Sequence, residues 1–374
     1  MHPRVFGIVG VLSVVLTSAA MPQDTTSQGT TSTTSGTSSM FSNLANPAIG
    51  MNALFSAQAA HNLDQPYGLQ FDEAEISLIS TVDPYWTLTS NIVFTSDNVD
   101  PEEVWVRNTS LPAIQLKLGQ IRGTFGKHAL LHPHAFPFIQ APIVMPNTIG
   151  EEGFKDPGLE AAWLTPLPWY AELTGGVYRA HDLDEDHPLD FGSTAHDNIP
   201  YLGHFKNLFD VNDETTLEIG QSFLHGEGAD GNGHMAFGAD LTVRNVPAKQ
   251  SNRRGWILQS EYLQKGSSVA GDYIREQDGE YASFQYRLSQ TWWAGIRGEQ
   301  ARKSFTDFVV DENGDPLAAK ITRGSVNLAW APSEFSFLRL EYSHSKADQG
   351  VHPTDDRIML QMSYTIGYHP AHAY

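Results

Sequence analysis

The chain has no cysteine among its 374 residues, few charges for its length, no long apolar run after its first twenty positions, and almost no helical periodicity. Without cysteine, an exported chain has no disulfide framework and must be held by its own sheet. Charged residues are 18% and aromatics 11%, a mixture too aromatic for disorder and too polar for a helical membrane bundle. There is no phosphate loop, no G-x-S-x-G and no dinucleotide fingerprint, and these absences remove the common signatures of nucleotide and hydrolase chemistry. A formal charge of −20 excludes a nucleic-acid partner.

What is present begins with an export leader. Met1 to Arg4 supply a short positive region, Val5 to Leu16 an apolar core, and Thr17 to Ala20 a small-residue cleavage site, so residues 1–20 are expected to be a signal peptide. This stretch falls short of the roughly 20 apolar residues a spanning helix needs. A Ser/Thr-rich tract over 21–44 reads as a flexible segment. Ordered structure is expected from residue 45, near "NPAIGMNALF", to 374.

From Leu69 onward, runs of eight to twelve alternating residues are separated by turns. Ala74/Ile76/Leu78, Ile114/Leu116/Leu118 and Met235/Phe237/Ala239/Leu241/Val243 show the period of two that belongs to strands with unlike faces. Short turns at 82–85, 110–113, 165–168, 210–213, 245–252, 288–291 and 331–334 alternate with longer loops, among them "HGEGADGNGH", "KGSSVAGDYIREQDG" and "DFVVDENGDP". Short turns on one rim and long loops on the other fit an all-β, transmembrane antiparallel β-barrel, in which every backbone group finds a partner. Seven turns and eight loops predict 16 strands, or 14 if the first pair does not form. A soluble sandwich or propeller also alternates. Aromatics beside the turns, at Tyr85-Trp86, Trp169-Tyr170, Trp292-Trp293 and Trp330, favour the interfacial girdles of a barrel.

Two stretches carry a resemblance. "LPAIQLKLGQIRGTFGKHALLHPHAFPFIQAPIVMPNTIGEEGFKDPGLEAAWLTPLPWYAEL" (111–173), with its His-Pro-His loop, and the ending His369-Pro370-Ala371-His372-Ala373-Tyr374 resemble a poorly characterised porin-like family of bacterial outer-membrane β-barrels. The resemblance implies the cell outer membrane of a Gram-negative bacterium, and recognition of Tyr374 by the outer-membrane assembly machinery. It also implies contact with membrane lipid and lipopolysaccharide, and a homotrimer as a common assembly for this shape. An energised receptor would need about 22 strands and a plug, for which there is no room.

If the apolar parity faces lipid, the opposite parity lines the lumen. It offers Arg107, Lys117, Arg244, Arg287, Arg297, Arg323, Arg339 and Arg357 against Glu73, Glu75, Glu103, Glu218, Asp240, Glu261, Glu299 and Glu341. The acidic group near the start and the arginines of the last strands become neighbours on closure, either as ion pairs or as a transverse field across a constriction. The longest loop, 123–156, is apolar and proline-rich and is expected to fold inward, with His128, His132, His134 and Phe136 at the constriction. Spacing fixes no carboxylate or cysteine beside the histidines, so no metal site and no cofactor are expected. The acidic stretches 226–233 and 311–316 lack the twelve-residue calcium-loop spacing. The reading is a non-enzymatic channel for passive diffusion of small polar solutes. Its competitors are a receptor or metal-uptake component binding ligand through its loops, and a barrel-embedded hydrolase.

Overall fold

The computed structural model describes residues 47–60, 68–179, 189, 191, 198–228, 231–249, 253–269, 272–304, 318–348 and 354–367. The leader, the Ser/Thr tract and the segment from Tyr368 to Tyr374 lie outside the described residues, so the expectations for residues 1–44 and for Tyr374 lie there too.

Sixteen strands alternate with turns and loops. β1 (Ala48–Ala60), β2 (Gly68–Asp83), β3 (Trp86–Phe94) and β4 (Val99–Asn108) come first. They lead into β5 (Ile114–Arg122), β6 (Lys155–Leu164), β7 (Tyr170–Tyr178) and β8 (Tyr201–Asn212). β9 (Thr215–Glu227), β10 (Gly233–Asn245), β11 (Trp256–Val269) and β12 (Asp272–Arg287) follow, then β13 (Trp292–Ser304), β14 (Ala318–Ser333), β15 (Ser336–Ala347) and β16 (Thr354–Gly367). Each pairs antiparallel with its sequence neighbours, and β1 pairs with β16 from Gly50↔Gly367 to Ala60↔Arg357, closing a 16-stranded barrel. Closure leaves no sheet edge, which is the condition a sheet must meet in hydrocarbon.

The alternation fixes which side faces out. In β16, Ile358, Tyr364 and Ile366 are more than half exposed, whereas Met359, Gln361 and Ser363 are buried inside. Asn52 Nδ2 donates to Ser363 Oγ at 2.8 Å and Thr365 Oγ1 at 2.7 Å, so the closing seam carries side-chain bonds as well as its ladder. The short turns are set by local chemistry. Asp83 Oδ1 accepts the N–H groups of Tyr85 (2.7 Å) and Trp86 (2.9 Å), and Asn212 Oδ1 accepts that of Glu214 (3.0 Å), as Asx turns do. Outward Trp163, Trp169, Tyr170, Trp292, Trp330 and Phe335 ring this rim, all at least one-third exposed.

The stretch "KGSSVAGDYIREQDG", expected as a loop, is instead mostly strand. β11 runs to Val269 and β12 begins at Asp272, with a register shift between Lys265 and Gly266. The bulge keeps the ladder in step past Gly266, so polar residues that read as loop lengthen the hairpin. No helix among the described residues is long and apolar enough to cross a membrane.

Candidate functional site

The connection between β5 and β6, residues 123–154, turns into the barrel. Two 3-10 turns (His128–Leu130 and Pro133–Ala135) and one short helix, α1 (Met145–Thr148), shape it. Entry depends on Gly126, whose φ is +63° and whose missing Cβ would lie 2.0 Å from Glu261 Oε1. Only glycine lets the backbone pass this close in that conformation. Past it, Glu261 accepts the N–H groups of Lys127 (2.9 Å) and His128 (3.2 Å). An apolar cluster packs the loop onto β7–β11. Phe125, Val144, Met145, Ile149 and Phe154 meet Leu202, Leu224, Ala236 and Leu263 there, each large side chain contributing about 1.5–3 kcal/mol by burial. This sector of the lumen is filled.

Across the barrel the loop meets two charged walls. On the acidic side, His132 Nδ1 lies 2.9 Å from Glu75 Oε2 and 3.3 Å from Glu102 Oε2, and its Nε2 lies 3.3 Å from Glu103 Oε2. His134 stacks on His132 at 5.7 Å, with Nδ1 3.9 Å from Glu73 and 3.8 Å from Glu75. Burial and Arg122 pull the His132 pKa down, yet Glu102, Glu103 and Glu75 together hold it well above the usual imidazole value. Arg122 donates to Glu102 Oε2 at 2.9 Å and to the Leu131 carbonyl at 2.7 Å.

On the basic side the contacts reach the loop backbone. Glu341 accepts the Ile139 N–H at 2.6 Å and Glu299 that of Ile143 at 2.7 Å. Arg297 and Arg323 donate to the carbonyls of Gln140 (2.9 Å) and Ala141 (2.6 Å), and both guanidinium groups flank Glu299. Asn327 donates to the Pro137 carbonyl at 2.8 Å.

The structure brings together Glu73, Glu75, Glu103, Lys117, His132 and His134, with Lys117 3.7 Å from Glu103. It separates others. His128 leaves its neighbours and packs between Phe136 (4.3 Å) and Tyr281 (6.1 Å), where burial holds its pKa well below the usual value. Arg107 is exposed beside Trp105, and Arg287 donates to the Ser289 and Gln290 carbonyls of its own turn. Arg357 pairs with Asp355 near the long-loop rim. Parity gives the face a residue occupies and not its height, so these three do not join the central group. Sequence reasoning missed Glu102 and Arg122, and with them Glu152 and Lys155. The register shift between Asn91 and Val93 turns consecutive Glu102 and Glu103 both inward, and the Glu-Glu pair directly after Pro101 was its trace in the sequence.

Two cavities lie on either side of the loop. One, about 350 Å³, is lined by Ser56, Gln70, Glu73, Pro133, Gln140 and Gln361 among others. The other, about 280 Å³, is lined by His134, Pro137, Arg244, Trp293, Asn327 and Arg339. Phe136 borders both. Arg339 donates to Gln361 at 3.1 Å, so partners on the two sides touch at the same level.

Comparison with known proteins follows this geometry. No family model matches the sequence. A protein of Aquifex aeolicus (strain VF5) described as uncharacterized is 26% identical over 357 residues, covering 86% of this chain and 74% of its own. Pseudomonas putida OprB superposes with a TM-score of 0.59 at 9% identity, covering 88% of this chain and 96% of that one. An anion-selective porin from Comamonas acidovorans gives 0.59 at 8%, covering 86% and 99%. Salmonella typhi OmpF gives 0.58 at 10%, covering 86% and 97%. At these identities the likeness shows the fold alone: a closed 16-stranded antiparallel barrel, as in these outer-membrane proteins.

Proposed function

We propose that the chain is an outer-membrane channel for passive diffusion of small polar solutes, acting without catalysis. The observation that carries this reading is the pair of cavities that share Phe136 as a wall, one beside the long-loop ends of β1 and β2 and the other beside the short turns. The path would run between the loop and β16, β1 and β2 in the first cavity, and between the loop and β10 to β15 in the second. It would pass Glu73 in the first cavity and Arg339 in the second, so a solute meets an acidic and a basic group in turn. The porin-like neighbours support the same reading.

A hydrolase is disfavoured by how the close Ser–His contact beneath the loop is used. His204 Nδ1 and Ser222 Oγ lie 2.8 Å apart, but Ser222 Oγ also accepts the Gly126 N–H at 2.8 Å, and both residues are buried beneath the loop. A nucleophile engaged in that way has no room for a carbonyl substrate.

Purified protein in planar bilayers should give discrete current steps whose size follows salt concentration. Silent bilayers containing correctly folded barrels would sink the channel reading.

A further inference from the structure

We propose that Glu75, Glu102 and His132 form a binding site for one divalent cation of the zinc class, where the acidic wall meets the loop. The three side chains come from β2, β4 and the loop, all are buried, and one ligand atom from each lies within 4.8 Å of the others. His132 Nδ1 is 2.9 Å from Glu75 Oε2 and 3.3 Å from Glu102 Oε2. Atoms bound about 2.0–2.2 Å from such an ion stand about 3.0 Å apart at a right angle and about 3.4 Å apart at the tetrahedral angle. The two contacts match neighbouring edges of one coordination shell.

A second observation points the same way. Glu75 Oε2 is buried and faces His132 Nδ1 at 2.9 Å and His134 Nδ1 at 3.8 Å, while Oε1 of the same carboxylate takes the Ser77 hydroxyl at 2.9 Å. One oxygen is thus held by its own strand and the other is turned toward the two stacked imidazoles. The far side of the imidazole has the support that metal-binding histidines use. Nε2 lies 3.3 Å from Glu103 Oε2, and Glu103 Oε1 accepts the Trp105 indole N–H at 3.2 Å. With an ion on Nδ1, the ring's remaining proton would sit on Nε2 and face Glu103 Oε2.

Charge argues for a dication. Glu73, Glu75, Glu102, Glu103 and Glu152 surround this point, and the cations among them are Arg122, Lys117 and Lys155, with the His132 imidazolium as a fourth while no ion replaces its proton. Buried carboxylates in excess of cations are costly, and one divalent ion closes the difference. The mixed nitrogen and oxygen set suits zinc-class metals over calcium or magnesium, which take oxygen. Access is through the larger cavity, which reaches Glu73, Pro133 and Glu152.

The test uses full-length protein folded in detergent and Zn2+ alone, with binding measured by titration calorimetry and with Co2+ absorption as a spectroscopic check. The wild type should bind one ion per barrel. Glu75→Gln, which keeps the side chain's shape, and His132→Asn should each weaken binding at least tenfold, and Glu103→Gln should weaken it about 10–100-fold. Heat-dependent gel migration shows that each variant is a folded barrel. If His132→Asn does not fold, Glu75→Gln decides alone. No stoichiometric binding by the wild type overturns the proposal, and so does wild-type affinity in the variants, which would place the ion elsewhere, as at His369 and His372. No current is measured, so failure of the channel reading leaves this result independent.

Discussion

The loop across the lumen is held by two walls that use different chemistry. The acidic wall, β2 and β4, grips imidazole side chains: His132 sits among Glu75, Glu102 and Glu103, and His134 beside Glu73. The basic wall, β13 to β15, grips the backbone of 137–143 through Glu299, Glu341, Arg297, Arg323 and Asn327. Backbone recognition tolerates changes in the loop's own side chains, whereas side-chain recognition does not. The basic wall therefore acts as scaffold, and the acidic wall is where the identity of loop residues carries chemistry.

Removing the centre of the scaffold should have the largest effect. Glu299→Ala leaves Arg297 and Arg323 without their shared carboxylate and the Ile143 N–H without its acceptor. Loss of one partner of a buried charge pair costs about 3–5 kcal/mol, read as a lower midpoint for urea unfolding of the barrel in lipid. The next effect is on selectivity. Arg339→Glu should move the reversal potential in a salt gradient toward cations, and Glu73→Gln should move it toward anions by less, because only one charge is lost. Equal shifts in one direction would break the assignment of opposite walls. The smallest effect belongs to Asn327→Ala, which removes the 2.8 Å bond to the Pro137 carbonyl. The expected cost is about 1 kcal/mol in the same unfolding experiment, with conductance unchanged.

The strands were legible because alternation is a local property and the turn residues are local too. Four of the seven short turns lie where Asp83, Asn212, Ser289 and Ser333 put a side-chain acceptor within three residues of the N–H it satisfies. The inward path of the loop was legible from its apolar, proline-rich composition, since Phe125, Met145 and Ile149 need burial. Its anchors were not. Ile139 and Glu341, or Lys127 and Glu261, are joined across most of the chain, and nothing in either segment encodes the other. The inward turn of both Glu102 and Glu103 needs a bulge in the neighbouring register, which alternation alone cannot announce. The rim positions of Arg107, Arg287 and Arg357 depend on strand tilt and stagger, which appear only when the barrel closes.

The central claim is that solutes pass the loop at Phe136, the residue that walls both cavities. The chain has no cysteine, so Phe136→Cys introduces a single thiol on a silent background. In a planar bilayer, a small cationic methanethiosulfonate added from either side should lower the single-channel current of this variant in one irreversible step and leave the wild type unaffected. Currents from the variant that persist unchanged after complete modification of the thiol would contradict the account.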